Sequence, residues 1–210
     1  MNALLLLVLD PVCLVALSGC ALLTGETLEF SAQPATVSEN AQETAQYDLV
    51  GVEAREINRT VDVLGQERRI VATNHVATYE RDLAVTTTEA VGTVVLVSTP
   101  QMSVAGQSVN PVGSMGPESV LRTLGAGQGI GDLSRQGNRT VTVLGEEATV
   151  TDFDGTTTVA GQDVDVTVHF LQVPHEGDYV IGLAVHPAVM SADQAGVDAM
   201  FEGIEHTGSE

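Results

Sequence analysis

Apolar and polar residues alternate most cleanly along Val164-Asp165-Val166-Thr167-Val168-His169-Phe170-Leu171, which predicts a strand with one buried face and one wet face. Thr140 to Leu144 alternates in the same way and sets Val141 and Val143 on one face. Tyr179 to Val185 is continuously apolar and predicts a central strand covered on both sides. Turn residues separate these runs at Asp154-Gly155, Ala160-Gly161 and Glu176-Gly177, and such short spacing favours antiparallel meanders. Helical periodicity is confined to three stretches. Ser191 to His206 carries Val197, Met200, Phe201 and Ile204 on one stripe, with Ser191 as cap and His206 in the last turn. Pro117 to Leu124 opens on a favoured first-position proline and closes on Gly125. Ser38 to Gln46 is the third. The expected fold class is α+β, with duplicated antiparallel β-meander units, each with a helix packed on one sheet face.

The duplication rests on a decapeptide. Asn58-Arg59-Thr60-Val61-Asp62-Val63-Leu64-Gly65-Gln66-Glu67 returns 80 residues later as Asn138-Arg139-Thr140-Val141-Thr142-Val143-Leu144-Gly145-Glu146-Glu147, with eight of ten positions identical. Downstream, the run opened by Gly92 and closed by Pro100 resembles the run from Gly177 to Pro187, and Met-Ser follows each. The offset has then grown to 85, so the second copy carries about five extra residues, for which Asp154-Gly155 is a candidate site. The chain therefore divides into residues 1–19, 20–36 (tether and first strand), 37–125 (first repeat) and 126–210 (second repeat).

Composition sets the solvent. There are 28 acidic residues against 8 basic ones, every basic residue is Arg, and the net charge is −20 over 210 residues. Such a chain repels itself in dilute buffer, whereas at molar salt the Debye length falls to about 3 Å. The expected setting is a very salty one. A surface this acidic has no basic footprint for nucleic acid. With no Trp, three Tyr and four Phe, the core must come from Val, Leu, Ile and Ala.

Residues 1–19 read as a signal peptide. An apolar run from Ala3 leads into Leu17-Ser18-Gly19-Cys20, which resembles the lipobox of secreted lipoproteins and makes Cys20 the expected lipidated first residue of the mature chain. No Arg or Lys precedes the run, and Asp10-Pro11 interrupts it, both departures from that pattern. A plain secretory signal or an uncleaved anchor is the alternative. Asn58-Arg59-Thr60 and Asn138-Arg139-Thr140 fit the acceptor pattern for N-glycosylation, which makes Asn58 and Asn138 candidate modification sites; a local turn at each strand start explains them equally.

Chemistry is sparse. The glycine-rich Gly125 to Gly131 lacks the context of a phosphate loop and reads as the joint between the halves. The five histidines, His75, His169, His175, His186 and His206, have no zinc spacing, although His169 and His186 sit on adjacent candidate strands and could face each other. Ser114 falls one residue short of a nucleophile elbow, and Asp152 and Asp154 lack a calcium loop. No catalytic, cofactor or metal residue is assigned.

The lipobox-like segment, Thr27-Leu28-Glu29-Phe30 with Pro34-Ala35-Thr36-Val37-Ser38, and the two Asn-Arg-Thr-Val seeds together resemble a family of haloarchaeal secreted lipoproteins that carries no assigned activity. More loosely, a meander followed by a C-terminal helix is similar to the Mog1/PsbP-like fold, whose members are mostly binding or assembly factors. The expected function is a non-enzymatic, lipid-anchored module on the outer face of the membrane, binding a protein or small ligand. A hydrolase or metal-dependent enzyme with a dispersed site, and a structural envelope component, are the alternatives.

Overall fold

The computed structural model describes residues 27–81, 92–125, 129–159, 161–190 and 193–207. In chain order the elements are β1 (Leu28–Ser31), β2 (Ala35–Val37), α1 (Glu39–Ala45), β3 (Asp48–Val63), β4 (Gln66–Arg81), β5 (Gly92–Pro100), β6 (Ser103–Val104), β7 (Gln107–Ser108), a 3-10 turn (Pro111–Ser114), α2 (Pro117–Gly125), β8 (Gly131–Val143), β9 (Glu146–Val159), β10 (Gln162–His175), β11 (Asp178–Pro187), α3 (Gln194–Glu202) and β12 (Ile204–His206).

The fold class differs from the expectation. The chain is mostly strand, and eight strands join in one mixed sheet in place of two helix-covered meanders. The sheet runs β1-β4-β5-β11-β10-β9-β8, with β3 on the outer side of β4. β1 pairs with β4 in parallel, and every other pair in it is antiparallel. The merger has a plain cause: β5 and β11 are the most apolar strands of their halves, and each buries both faces best by pairing with the other. Their register sets Leu96 opposite Gly182 and Val95 opposite Leu183. The helices are too short to cover such a sheet, and they do not share a face. α1 and α3 pack with Tyr79, Leu96, Leu171 and Val180 on one side. Val120 and Leu121 of α2 pack with Phe153, Phe170, Ile181 and Leu183 on the other.

Both copies of the decapeptide form hairpin ends in the same register: Val63 pairs with Gln66 and Val143 with Glu146. Each turns on a Leu-Gly pair with positive φ, 55° and 77° at Leu64-Gly65 and 52° and 83° at Leu144-Gly145, the geometry that matches strand twist. Their surroundings differ. Val63 joins a small cluster with Ile70, Ala72 and Met102, whereas Val143 joins the main core under α3. β4 meets the centre of the sheet directly, while β10 intervenes on the other side. This odd strand makes the two hairpins run in the same direction at opposite edges, so they present opposite faces.

Other local expectations divide. α1 and α2 lie where the sequence put them, although Ser38 makes no side-chain cap hydrogen bond and α2 runs through Gly125, and Gln46 closes α1 in the left-handed conformation. Gly161 and Glu176-Gly177 lie at turns, and Ala160 is outside the described residues. Asp154-Gly155 does not turn: it lies inside β9, opposite Thr167 and Val166, where side-chain pairing on the sheet face outweighs a dipeptide preference. The last helix starts at Gln194 and stops at Glu202, and Gly203 leads into β12, which pairs with β2. His206 therefore ends a strand and not a helix, and Ser191 lies outside the described residues.

Candidate functional site

Two features stand out, one on each sheet face. On the α3 face, four strands and the helix converge on a polar cluster. Arg139 of β8 pairs with Asp152 of β9 and, at 2.6 Å, with Asp198 of α3. Asp152 Oδ1 lies 2.6 Å from His169 Nδ1, and His169 Nε2 lies 2.9 Å from His186 Nε2. His186 Nδ1–H donates to the Pro187 carbonyl at 3.0 Å, which fixes its tautomer. The two histidines that the alternation set on neighbouring strands do face each other. Both rings are 3% exposed, and among the described residues no hydroxyl is hydrogen-bonded to either. His186 also borders a cleft of about 200 Å³ that reaches Val166 and Pro187, and it is the Arg139–Asp198 pair that ties α3 to the sheet edge.

Burial holds His169 below the ordinary histidine range, with the Arg139 guanidinium acting in the same sense and Asp152 opposing. An unfolded chain then binds a proton more readily than the folded one. Stability is complete above the unfolded value of about 6.5 and falls as pH drops from there toward the folded value. Chemical unfolding in molar salt should show this loss between pH 7 and 5, and His169→Gln should flatten that part of the profile.

A second array is centred on the enclosed Asp178 and His206 side chains, with half-buried Gln33 and His175 on its flanks. Asp178 Oδ2 accepts from the Gln33 amide at 2.9 Å and from His206 Nε2 at 3.1 Å, and His206 Nδ1 lies 2.9 Å from His175 Nδ1. It fastens the β1–β2 connection and β12 to the β10–β11 turn. Alternation on adjacent strands brings His169 and His186 together, but neither Arg139 and Asp152 beside them nor the Asp178 array is legible by spacing. The available signal was scarcity: with only eight cations in the chain, an Arg inside the repeat seed was worth following.

On the α2 face the sheet is left open. One cleft of about 160 Å³ lies beneath the 3-10 turn and α2, lined by Ile57, Arg59, Asn74, Val97 and Ile181. A second of about 370 Å³ shares Ile57, Asn74, Val97 and Ile181 and adds Arg55, Val95 and Leu183. A third of about 200 Å³ continues past Val95 and Leu183 to Val166 and Pro187. Together they form one apolar trough across the β5–β11 joint. Asn74 lines the first two clefts, and its Oδ1 is buried without a partner among the described residues, an arrangement that costs about 1–3 kcal/mol until something donates to it.

Of the sites read from the sequence, Cys20 lies outside the described residues. Asn58 and Asn138 are exposed on the edge strands β3 and β8; Asn58 donates to Glu56 at 2.8 Å, and Asn138 accepts from Arg135 at 2.8 Å. Asp152 is taken up by Arg139 and His169, while Asp154 is exposed, and no group of three or more metal-ligating side chains occurs among the described residues. No described helix is long and apolar enough to cross a membrane.

A search of the curated proteins finds no match to this chain. The model of one family, the domain of unknown function DUF6517, matches residues 34–205, from the β1–β2 connection to the second residue of β12, and so takes in both hairpins, the trough and the Asp152-His169-His186 array, while Gln33 and His206 of the second array lie just outside it. By that match, the chain belongs to the DUF6517 family.

Proposed function

We propose that this chain is a non-enzymatic binding or assembly module, exported by a halophile and held by lipid on Cys20 at the outer face of the membrane. Its binding surface is the trough on the α2 face. The observation that carries the reading is the combination of half-buried Val76, Val95 and Val97 with the unpartnered Asn74 oxygen. An apolar body with one hydrogen-bond donor fits that lining. The opposite face is filled by α1 and α3, and His169 and His186 are nearly buried there. The acidic, Lys-free composition supports the salty setting, and the run ending at Cys20 supports export and anchoring.

The test is native mass spectrometry of the protein purified from membranes in molar salt. A bound species should be retained by the natural chain and lost from Val95→Thr/Val97→Thr, which keeps side-chain volume but puts two hydroxyls into the trough, a penalty of about 1–3 kcal/mol each. Retention by the double variant would refute the trough as the site. In the same preparation Cys20→Ser should move the protein from the membrane fraction to the medium; unchanged membrane retention would refute the anchor.

A further inference from the structure

We propose that β3 is the contact edge of a symmetric dimer, pairing antiparallel with β3 of a second copy about an axis beside Ala54. The two ends of the sheet invite the comparison, because they are built from the duplicated hairpins and are treated differently. β8 is blunted: its pairing with β9 shifts register twice, between Gly131 and Ser134 and between Arg135 and Gly137, and Arg139 is engaged by α3. Among the described residues β8 carries no exposed large hydrophobic side chain. β3 is the opposite. It is 16 residues long, shifts register only between Leu49 and Gly51, and pairs with β4 alone among the described residues. Every residue from Val52 to Thr60 is exposed, and Leu49, Val50, Val52 and Ile57 are exposed by 45%, 62%, 40% and 41%. A long free edge in nearly continuous register, with apolar and charged side chains both exposed along it, is a template for another strand unless something covers it.

Charge selects a second copy as the occupant. A two-fold axis perpendicular to the sheet must pass beside one residue, because opposed residues share a face. Centred on Ala54, the pairing sets Glu53 of each copy opposite Arg55 of the other, and Val52 opposite Glu56. Moving the axis to Glu53, Arg55 or Glu56 sets that residue against its own copy. Centring on Ile57 opposes Arg55 to Arg59, and centring on Val52 opposes Asp48 to Glu56. The Ala54 register alone faces opposite charges with no like pair. Within one copy Arg55 Nη2 already reaches Glu53 Oε2 at 3.0 Å, and the two side chains are 65% and 69% exposed, so they can be reshuffled across the axis without disturbing the fold. The net charge of −20 on each copy opposes association in dilute buffer and is screened in molar salt.

Sedimentation equilibrium in molar KCl tests this, using the exported chain with Cys20→Ser so that neither lipid nor thiol contributes. The natural sequence should show a monomer–dimer equilibrium. Glu53→Arg and Arg55→Glu should each raise the dimer Kd about tenfold or more, because two symmetric contacts are reversed together. The double variant Glu53→Arg/Arg55→Glu should restore the natural value. Circular dichroism should be the same for all four chains, and the amides of Val52 to Ile57 should exchange more slowly as concentration rises. A chain that stays monomeric to millimolar concentration, single reversals without effect, or a double variant that stays weak would each overturn the proposal.

Discussion

Replacing Arg81 with Leu should destabilise the chain by about 3–5 kcal/mol, while Arg81→Leu/Asp193→Leu should recover most of that loss. Arg81 on β4 grips Asp193, the residue before α3, with both guanidinium nitrogens, and the two side chains are 12% and 5% exposed. Tyr47 closes the site: its hydroxyl donates to Asp193 at 3.3 Å, and the guanidinium lies 5.0 Å from its ring centre. Burial, then the Asp193 charge, pushes the Tyr47 hydroxyl well above its usual range, so it stays a donor. Gly92 makes room for the ring, since a Cβ there would lie 2.5 Å from the Tyr47 oxygen. Leu in place of Arg leaves the Asp193 charge enclosed with the Tyr47 hydroxyl but without a countercharge. The double variant removes both charges and costs little, because a buried pair repays little beyond its own desolvation. Thermal unfolding in molar salt should fall by about 10 °C for the single variant. Salt does little to rescue it, because an enclosed pair is weakly screened. A single-variant loss below about 1 kcal/mol would mean that the pair is open to water.

Phe201→Ala should cost about 3–5 kcal/mol, the range for deleting a buried aromatic ring. Phe201 is fully buried, and its ring lies on Gly182 at the centre of β11, where an added Cβ would come within 2.7 Å of Cε1. Gly182 is thus the socket that lets α3 sit down on the sheet. Gly182→Ala should itself be destabilising by about 1–3 kcal/mol through overpacking. Combined with Phe201→Leu its cost should be less than additive, since the smaller side chain vacates the space. Denaturant unfolding of the four chains closes the cycle. Strict additivity would show that residues 182 and 201 do not touch.

What the residues revealed follows the range of the forces involved. Short-range preferences are written locally. Pro117 and Gly125 bracket α2, Ser38 precedes α1, and the alternation from Val164 to Leu171 marks β10. The 80-residue echo marks two hairpins, and its Leu-Gly turns are the feature they share most closely. Partnership across the sheet is not local. Nothing near Gly92 or Gly177 says that β5 and β11 pair with each other, and that pairing turns two expected units into one sheet. Nor does the decapeptide disclose that an odd strand, β10, turns its second copy to the opposite face. Asp154-Gly155 misled because a turn preference of a dipeptide is smaller than the pairing it would have interrupted. His169 and His186 were brought together by alternation on adjacent strands. Arg139, Asp198, Arg81 and Asp193 were not, because the link in each case runs through α3, whose seat on the sheet no periodicity records.

The joint between β5 and β11 carries the whole account, because the trough crosses it and both helix-bearing faces are defined by it. Nuclear Overhauser contacts in molar salt measure it directly. Cross-strand contacts should link Leu96 with Gly182, Val94 with Ala184 and Val95 with Leu183. Contacts confined within residues 37–125 and within 126–210, with none between the two sets, would contradict it.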